Sequence, residues 1–177
     1  MIEVRGKQIE TLFDEAQIAA EIDRMAREIA ERRPENLLVV AVLKGSFVFA
    51  ADLIRALHRH GIAPEMEFIQ LSSYGSGTTG GDVRIVRDLD GAIAGRKVLI
   101  VDDILESGRT LLFARDLMLA RGATGAEIAV LLDKHMRRAA PIEADYVGFQ
   151  CPDHFVVGYG MDVAHAFREL PFVGRVL

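Results

Sequence analysis

Residues 98–110, which read VLIVDDILESGRT, constrain this chain more than any other stretch. Val98, Leu99, Ile100 and Val101 run straight into two adjacent carboxylates, Asp102 and Asp103. A third acid, Glu106, follows, and then Ser107, Gly108, Arg109 and Thr110. An unbroken apolar run is the pattern of a strand covered on both faces. Acids at its carboxyl end lie where open α/β sheets place their ligand crevice. The hydroxyl-rich turn containing Gly108 offers backbone N–H groups to an anion at the start of the next helix. Together these residues suit a sugar phosphate and its metal. The acids can hold ribose hydroxyls or metal-bound water, and the turn can hold a phosphate.

The rest of the chain supplies a matching framework. Asp14 is placed to cap a helix whose face is formed by Ile18, Ile22, Met25 and Ile29, with Pro34 as its limit. Residues 37–43 are continuously apolar, as in a doubly covered strand. A second helix begins at Gly45 or Ser46, turns Phe49, Leu53 and Leu57 inward and stops at Gly61. Strands are expected at 65–71, 83–86, 98–101 and 127–132, with turns over 89–96. Gly108 opens a third helix carrying Leu111, Leu112, Ala114, Leu117 and Met118, closed by Gly122. Short strands follow at 146–149, 156–158 and 173–177. Alternating strands and helices predict an α/β protein with a parallel-core twisted sheet flanked by helices. The 177 residues read as a single domain, with a core at about 35–150 and a small hood from about 1–12 and 151–177.

Composition excludes several function classes. A net charge of −5 does not favour non-specific nucleic-acid binding, which needs a basic face. Cys151 is the only cysteine, so no intrachain disulfide forms and a reducing cytoplasm fits. Its lack of any partner pattern marks it as structural. The N-terminus carries acids early and has no apolar core, unlike a signal peptide. The apolar run that stops at Lys44 is too short to span a bilayer. The five histidines show no zinc-ligand spacing, and His58 and His60 read as surface residues near a helix end.

Two motifs suggest other readings. Residues 75–80, GSGTTG, match G-x-G-x-x-G, but a dinucleotide turn must open a helix, and the alternating GDVRIVR that follows reads as a strand. The stretch 72–82 is instead expected to be a long loop of the kind that closes over an active site. The run VLIVDD also resembles the opening strand of a phosphoacceptor receiver. Too few residues follow it for a doubly wound receiver, and the turn at 106–110 would go unused.

Further constellations point toward a phosphorylated, ring-bearing substrate. Lys44-Gly45-Ser46 joins a buried strand to a helix, where the turn and helix start favour an anion. Lys134 directly follows an apolar strand and Asp133, where it can donate to a carbonyl oxygen of a bound ring. Without that context it would read as a surface lysine beside His135, Arg137 and Arg138. Phe155 offers a stacking face, and Asp162 is a hard oxygen ligand suited to Mg²⁺, directly or through water.

Taken together, LKGS at 43–46, SSY at 72–74, the stretch 101–110, LDK at 132–134, PDHFVVGYGMD at 152–162 and Phe167-Arg168 resemble the hypoxanthine (hypoxanthine-guanine) phosphoribosyltransferases of purine salvage. The resemblance runs in order from about residue 37 to 177. It implies the type I phosphoribosyltransferase fold and a pentosyl transfer from phosphoribosyl pyrophosphate to hypoxanthine and guanine, giving IMP or GMP and pyrophosphate. Asp102 and Asp103 would hold the ribose hydroxyls, and Glu106, Ser107, Gly108, Arg109 and Thr110 would wrap the 5′-phosphate. Lys44 and Gly45 would form a pyrophosphate loop, with a cis peptide between Leu43 and Lys44, and Arg168 would contact pyrophosphate. Lys134 would donate to the purine 6-oxo group, Phe155 would stack on the ring and Val156 would present backbone groups to its edge. Asp162, with Asp102 and Asp103, would hold Mg²⁺, and Ser73 and Tyr74 would lead a flexible loop that excludes water.

The resemblance further implies a cytoplasmic homodimer or homotetramer with no nucleic-acid or membrane partner. A non-catalytic nucleotide- or RNA-binding regulator on the same scaffold is the alternative from another class. The chain departs from the family at two positions. Glu106 stands where aspartate is usual as the acceptor of the purine N7 proton, and Asp102 where glutamate is usual.

Overall fold

The computed structural model describes residues 1–73 and 82–177. In chain order the strands are β1 (Ile2–Val4), β2 (Lys7–Phe13), β3 (Leu37–Leu43), β4 (Glu65–Ser73), β5 (Val83–Arg87), β6 (Lys97–Leu105), β7 (Gly125–Asp133), β8 (Tyr146–Gln150), β9 (Val156–Val157) and β10 (Val173–Val176). The α-helices are α1 (Glu15–Glu31), α2 (Phe47–Arg59) and α3 (Arg109–Ala120), and His135–Arg137 form one tighter turn.

Six strands make the main sheet in the order β5-β4-β3-β6-β7-β8. All neighbours are parallel except β5, which returns antiparallel to β4 at one edge. The order reverses at β3, which has β4 on one side and β6 on the other, so a crevice opens at the carboxyl ends of β3 and β6. The register pairs Ala41 with Val101, which brings Leu43 level with Asp103.

Side-chain alternation along β3 and β6 explains the layering. Leu37, Val39, Ala41, Leu99 and Val101 face a core shared with α1 and α2. Leu38, Val40, Val42, Val98 and Ile100 face a second core under α3. From α1 come Ile18, Ile22, Met25 and Ile29, and from α2 Phe49, Leu53 and Leu57, all fully or almost fully buried. Burying each such side chain contributes about 1.5–3 kcal/mol of favourable transfer energy. At the start of α1, the Asp14 side chain accepts from the Gln17 amide while the Gln17 side chain accepts from the Asp14 amide. This reciprocal cap satisfies donors that the first helical turn leaves open. Gly61 and Gly122 take positive φ just beyond the ends of α2 and α3.

A second sheet, β1-β2-β10-β9, joins the two ends of the chain. Its small core contains Ile9, Val157, Phe167 and Leu170. Phe13 stacks on Phe149 at 4.1 Å between ring centres, bringing the end of β2 against β8 of the main sheet. Among the described residues no helix is long and apolar enough to cross a membrane.

Three sequence expectations need correction. Strand β6 extends through Leu105, so Asp102 and Asp103 lie inside a strand expected to end at 101. Pairing with β7 continues across Asp102–Val130, Ile104–Leu132 and Leu105–Asp133, and this ladder keeps the acids extended. Ser72 and Ser73 are not loop residues. They finish β4, where Ser72 pairs with Arg84 and Ser73 with Val83. Tyr74 and the G-x-G-x-x-G stretch lie outside the described residues. Lastly, His60 is half-buried and paired with Asp23 at 2.9 Å, where a free surface histidine was expected.

Phe49 is fully buried between α2 and the sheet. Truncating it to alanine is expected to lower stability by about 3–5 kcal/mol in denaturant titration. A loss below about 1 kcal/mol would show that this core closes over the cavity.

Candidate active site

A cavity of about 430 Å³ opens at the carboxyl ends of the central strands. Asp102, Asp103, Glu106, Ser107, Gly108 and Thr110 line it. Lys134, Phe155, Val156 and Asp162 line it too, and Ser73 reaches it from the end of β4. Lys44, Gly45, Arg109 and Arg168 do not line this cavity. Arg109 is the exposed first residue of α3. Lys44 is exposed after a cis Leu43–Lys44 peptide. Gly45 instead meets the cavity wall from behind. A Cβ there would stand 1.8 Å from Asp103 Oδ2, so the carboxylate occupies the space a side chain would need.

The paired acids accept backbone donors from within their own strand. Asp102 Oδ1 accepts from the Asp103 amide at 2.9 Å, and Asp103 Oδ1 from the Ile104 amide at 2.8 Å. Burial pushes the Asp102 carboxyl well above the ordinary range, and the neighbouring Asp103 carboxylate pushes the same way. Burial also raises Asp103, opposed by its hydrogen bonds and by the charge of Arg168. Two desolvated carboxylates with no cation bonded to them are a hard-oxygen donor set, which suits a divalent cation.

Asp162 is more fully engaged. Its Oδ1 meets Arg168 Nη2 at 2.9 Å, and its Oδ2 accepts from the His165 amide at 2.8 Å. Arg168 also donates to the Gly160 carbonyl at 2.6 Å. Gly160 has φ +96°, and a Cβ on it would come within 2.4 Å of the Gly45 carbonyl oxygen. Residues 160–168 therefore hold the Lys44-Gly45 turn against the acid wall.

Lys134, only 5% exposed, donates to Glu106 Oε1 at 2.6 Å. A backbone bond from the Lys134 amide to the Leu105 carbonyl, 2.9 Å long, sets the two residues side by side. Phe155 is 60% exposed, leaving its ring free for a flat partner. Val156 pairs with Arg175 in the second sheet, which fixes its backbone at the cavity edge.

Arg138, in sequence one of the cationic neighbours of Lys134, is largely covered and donates to the buried Asp133 carboxylate. Nothing in local sequence spacing signals this contact, because it depends on the tight turn at 135–137. Gly160 was likewise missed, since its neighbour Gly45 is remote in sequence. Among the described residues, Asp133, His135 and Glu143 bring potential ligand atoms within 4.8 Å of one another. Arg138 already bridges Asp133 and Glu143, so this is an ion-pair cluster. Cys151 is free and buried, and burial raises its thiol pKa.

The fold and cavity define an α/β protein with an acid-lined crevice at the switch point of its sheet. Residues 8–164 match the phosphoribosyl transferase domain family, and the chain belongs to that family. It is 42% identical to the hypoxanthine phosphoribosyltransferase of Escherichia coli K12, over 96% of each chain. It is also 42% identical to that of Haemophilus influenzae, over 98% of each. A hypoxanthine-guanine phosphoribosyltransferase structure from Bacillus anthracis superposes with a TM-score of 0.90. That chain is 44% identical, with 96% of this chain and all of the other covered.

The pKa shift of Asp102 has a direct stability consequence. Its folded value lies above the unfolded value of about 3.8, so ionisation destabilises the fold. The penalty is absent below the unfolded value, grows between the unfolded and folded values, and is constant above the folded one. In metal-free buffer, Asp102→Asn is therefore expected to raise the melting temperature at pH 7, with the gain shrinking toward pH 4. A lower melting temperature at pH 7 would contradict this account.

Proposed function

We propose that this chain transfers the 5-phosphoribosyl group of phosphoribosyl pyrophosphate to hypoxanthine, and also to guanine, forming IMP or GMP and pyrophosphate. The observation that carries the proposal is one cavity whose lining suits both substrates. The acid pair and the loop 106–110 line it together with Lys134 and Phe155. Relatives named for this activity cover almost the whole chain, which supports the same reading.

The phosphoribosyl side is built on β6 and the start of α3. Asp102 and Asp103 accept the ribose hydroxyls. Ser107 and Thr110 supply hydroxyls, and the amides of 106–110, Arg109 included, close around the 5′-phosphate. Gly108, with φ +81°, lets the loop turn tightly enough to present those amides. Lys44 and Gly45 receive the pyrophosphate, and Arg168 adds charge at the same end.

The purine side is built on the ends of β7 and β9. Lys134 donates to the 6-oxo oxygen, Phe155 stacks on the ring, and the Val156 backbone reads its edge. Glu106 accepts the N7 proton as the ring nitrogen bonds to ribose C1. Departure of pyrophosphate builds oxocarbenium character at C1, and Lys44 and Arg168 favour the charge that leaves. Asp102, Asp103 and Asp162 would hold Mg²⁺, with Asp162, whose oxygens are already engaged, acting through water. Mg²⁺ when bound supplies positive charge to the departing pyrophosphate. Ser73 borders the cavity at the end of β4, on the side from which water must be kept, since water would otherwise trap C1.

The same reading makes the protein a cytoplasmic homodimer or homotetramer. The lone buried thiol agrees with a reducing compartment.

The test is an assay with phosphoribosyl pyrophosphate and hypoxanthine, guanine or xanthine, with Mg²⁺ and with chelator. IMP and GMP are expected with Mg²⁺ only. No nucleotide from any base would refute the reading. Glu106→Gln is expected to lower kcat by about 10²-fold, the low end for a general base. An unchanged chemical-step rate across pH would remove Glu106 from that role.

A further inference from the structure

The loop 106–110 has a cavity side, which carries the proposed phosphate contacts, and a far side, which rests on residues 138–142. Arg138 is the centre of that support. Its side chain is 10% exposed and donates to the Glu106 carbonyl at 3.1 Å and to the Ile142 carbonyl at 2.5 Å. It also binds the Asp133 carboxylate and, at 3.1 Å, that of Glu143. Just beyond it, the amides of Ala139 and Ala140 both donate to the Ser107 carbonyl at 2.9 Å. Gly108 seats directly on this platform. A Cβ there would meet Ile142 Cγ2 at 2.5 Å and Arg138 Cδ at 3.1 Å.

We propose that Arg138 is a positioning residue that sets the height of the phosphate loop above the sheet and ties it to the strand end presenting Lys134. The proposal rests on the reading of 106–110 as the 5′-phosphate loop. One guanidinium spans two elements. Asp133 belongs to the end of β7, one residue before Lys134, whereas Glu106 belongs to the loop after β6. Arginine suits this post because its planar fork offers five donors in fixed directions to several acceptors at once. Lysine keeps the charge but presents a single nitrogen, which cannot satisfy acceptors on both sides. Arg138 touches no substrate in this arrangement and acts only through the carbonyls and side chains it holds.

The alternative is an ion pair that merely stabilises the fold, which would change the melting temperature and leave ligand affinity alone. Removing Arg138 by itself would strand a buried Asp133 carboxylate and threaten folding. The informative variants are therefore R138K and the double D133N/R138M, in which the buried charge goes together with its partner.

Ribose 5-phosphate affinity is measured by calorimetry, alongside KM for phosphoribosyl pyrophosphate and for hypoxanthine. In the double variant, ribose 5-phosphate affinity is expected to fall ~10-fold, with the phosphoribosyl pyrophosphate KM rising in step, as misplacement of a binding loop produces. The hypoxanthine KM is expected to stay within about threefold, and R138K to fall between wild type and the double variant. Ribose 5-phosphate affinity within about twofold of wild type in the double variant would overturn the proposal, as would a parallel rise of both KM values. A wild-type protein that forms no nucleotide would defeat the functional reading instead, and the ribose 5-phosphate titration would still decide the role of Arg138.

Discussion

The Asp103 carboxylate fills the space where a side chain on residue 45 would be, and the remainder of the site is arranged around that contact. Parallel pairing of β3 with β6 brings the two strand ends level, so whatever follows Leu43 must pass close to Asp103. Only a residue without a Cβ can make that passage. A second backbone then lies over the first, because Gly160 approaches the Gly45 carbonyl so closely that it too must lack a side chain. Arg168, reaching back to the Gly160 carbonyl and to Asp162, closes the stack. Acid, turn and cover are thus three layers whose spacing is set by two missing methyl groups. A methyl at either position would push the Lys44 turn away from the acids it faces.

That packing leaves charge uncompensated on purpose-built ground. Burial raises the pKa values of both Asp102 and Asp103, and their bonded donors are backbone amides rather than cations. A protein selected for stability alone would pair or remove such groups. The cations have other partners or face solvent: Lys44 is exposed on its turn, Arg168 is engaged with Asp162, and Lys134 is bonded to Glu106. The arrangement suits a ligand that brings its own negative charge and its own metal, since both kinds of protein charge then find partners on binding.

Much of this was legible in the sequence because the signals were local. The apolar runs of β3 and β6, the Asp14 cap, the inward stripe of α2 and the glycine stops each depend on residues within a turn or two of one another. The acids at 102–103 and the turn at 106–110 declared themselves in the same way. What escaped the sequence depends on contacts between distant segments. The extension of β6 past the acids reflects pairing with β7, and the extension of β4 to Ser73 reflects pairing with β5. Arg138 sits in a cationic cluster that any solvated turn could carry, and only its contacts with Asp133 and Glu106 reveal its structural part. Gly160 gave no cue beyond being a glycine, because the backbone it accommodates lies more than a hundred residues away.

The substitution of glutamate at position 106 can be understood through the same geometry. Lys134 is almost fully buried, and a buried ammonium needs an anionic or hydrogen-bonding partner. Glu106 supplies it at 2.6 Å while its loop stays bound to Arg138 through the Glu106 carbonyl. An aspartate on the same backbone would hold its carboxylate back by about one C–C bond, ~1.5 Å, and lose the contact unless the loop moved inward. The loop is not free to move independently, because Ser107, Gly108 and Arg138 fix it to residues 138–142. Loop height and side-chain length are therefore coupled. In this chain a longer acid on a firmly seated loop places the carboxylate against the lysine, so the position of the carboxylate, and not the identity of the residue bearing it, is the quantity the surrounding structure specifies.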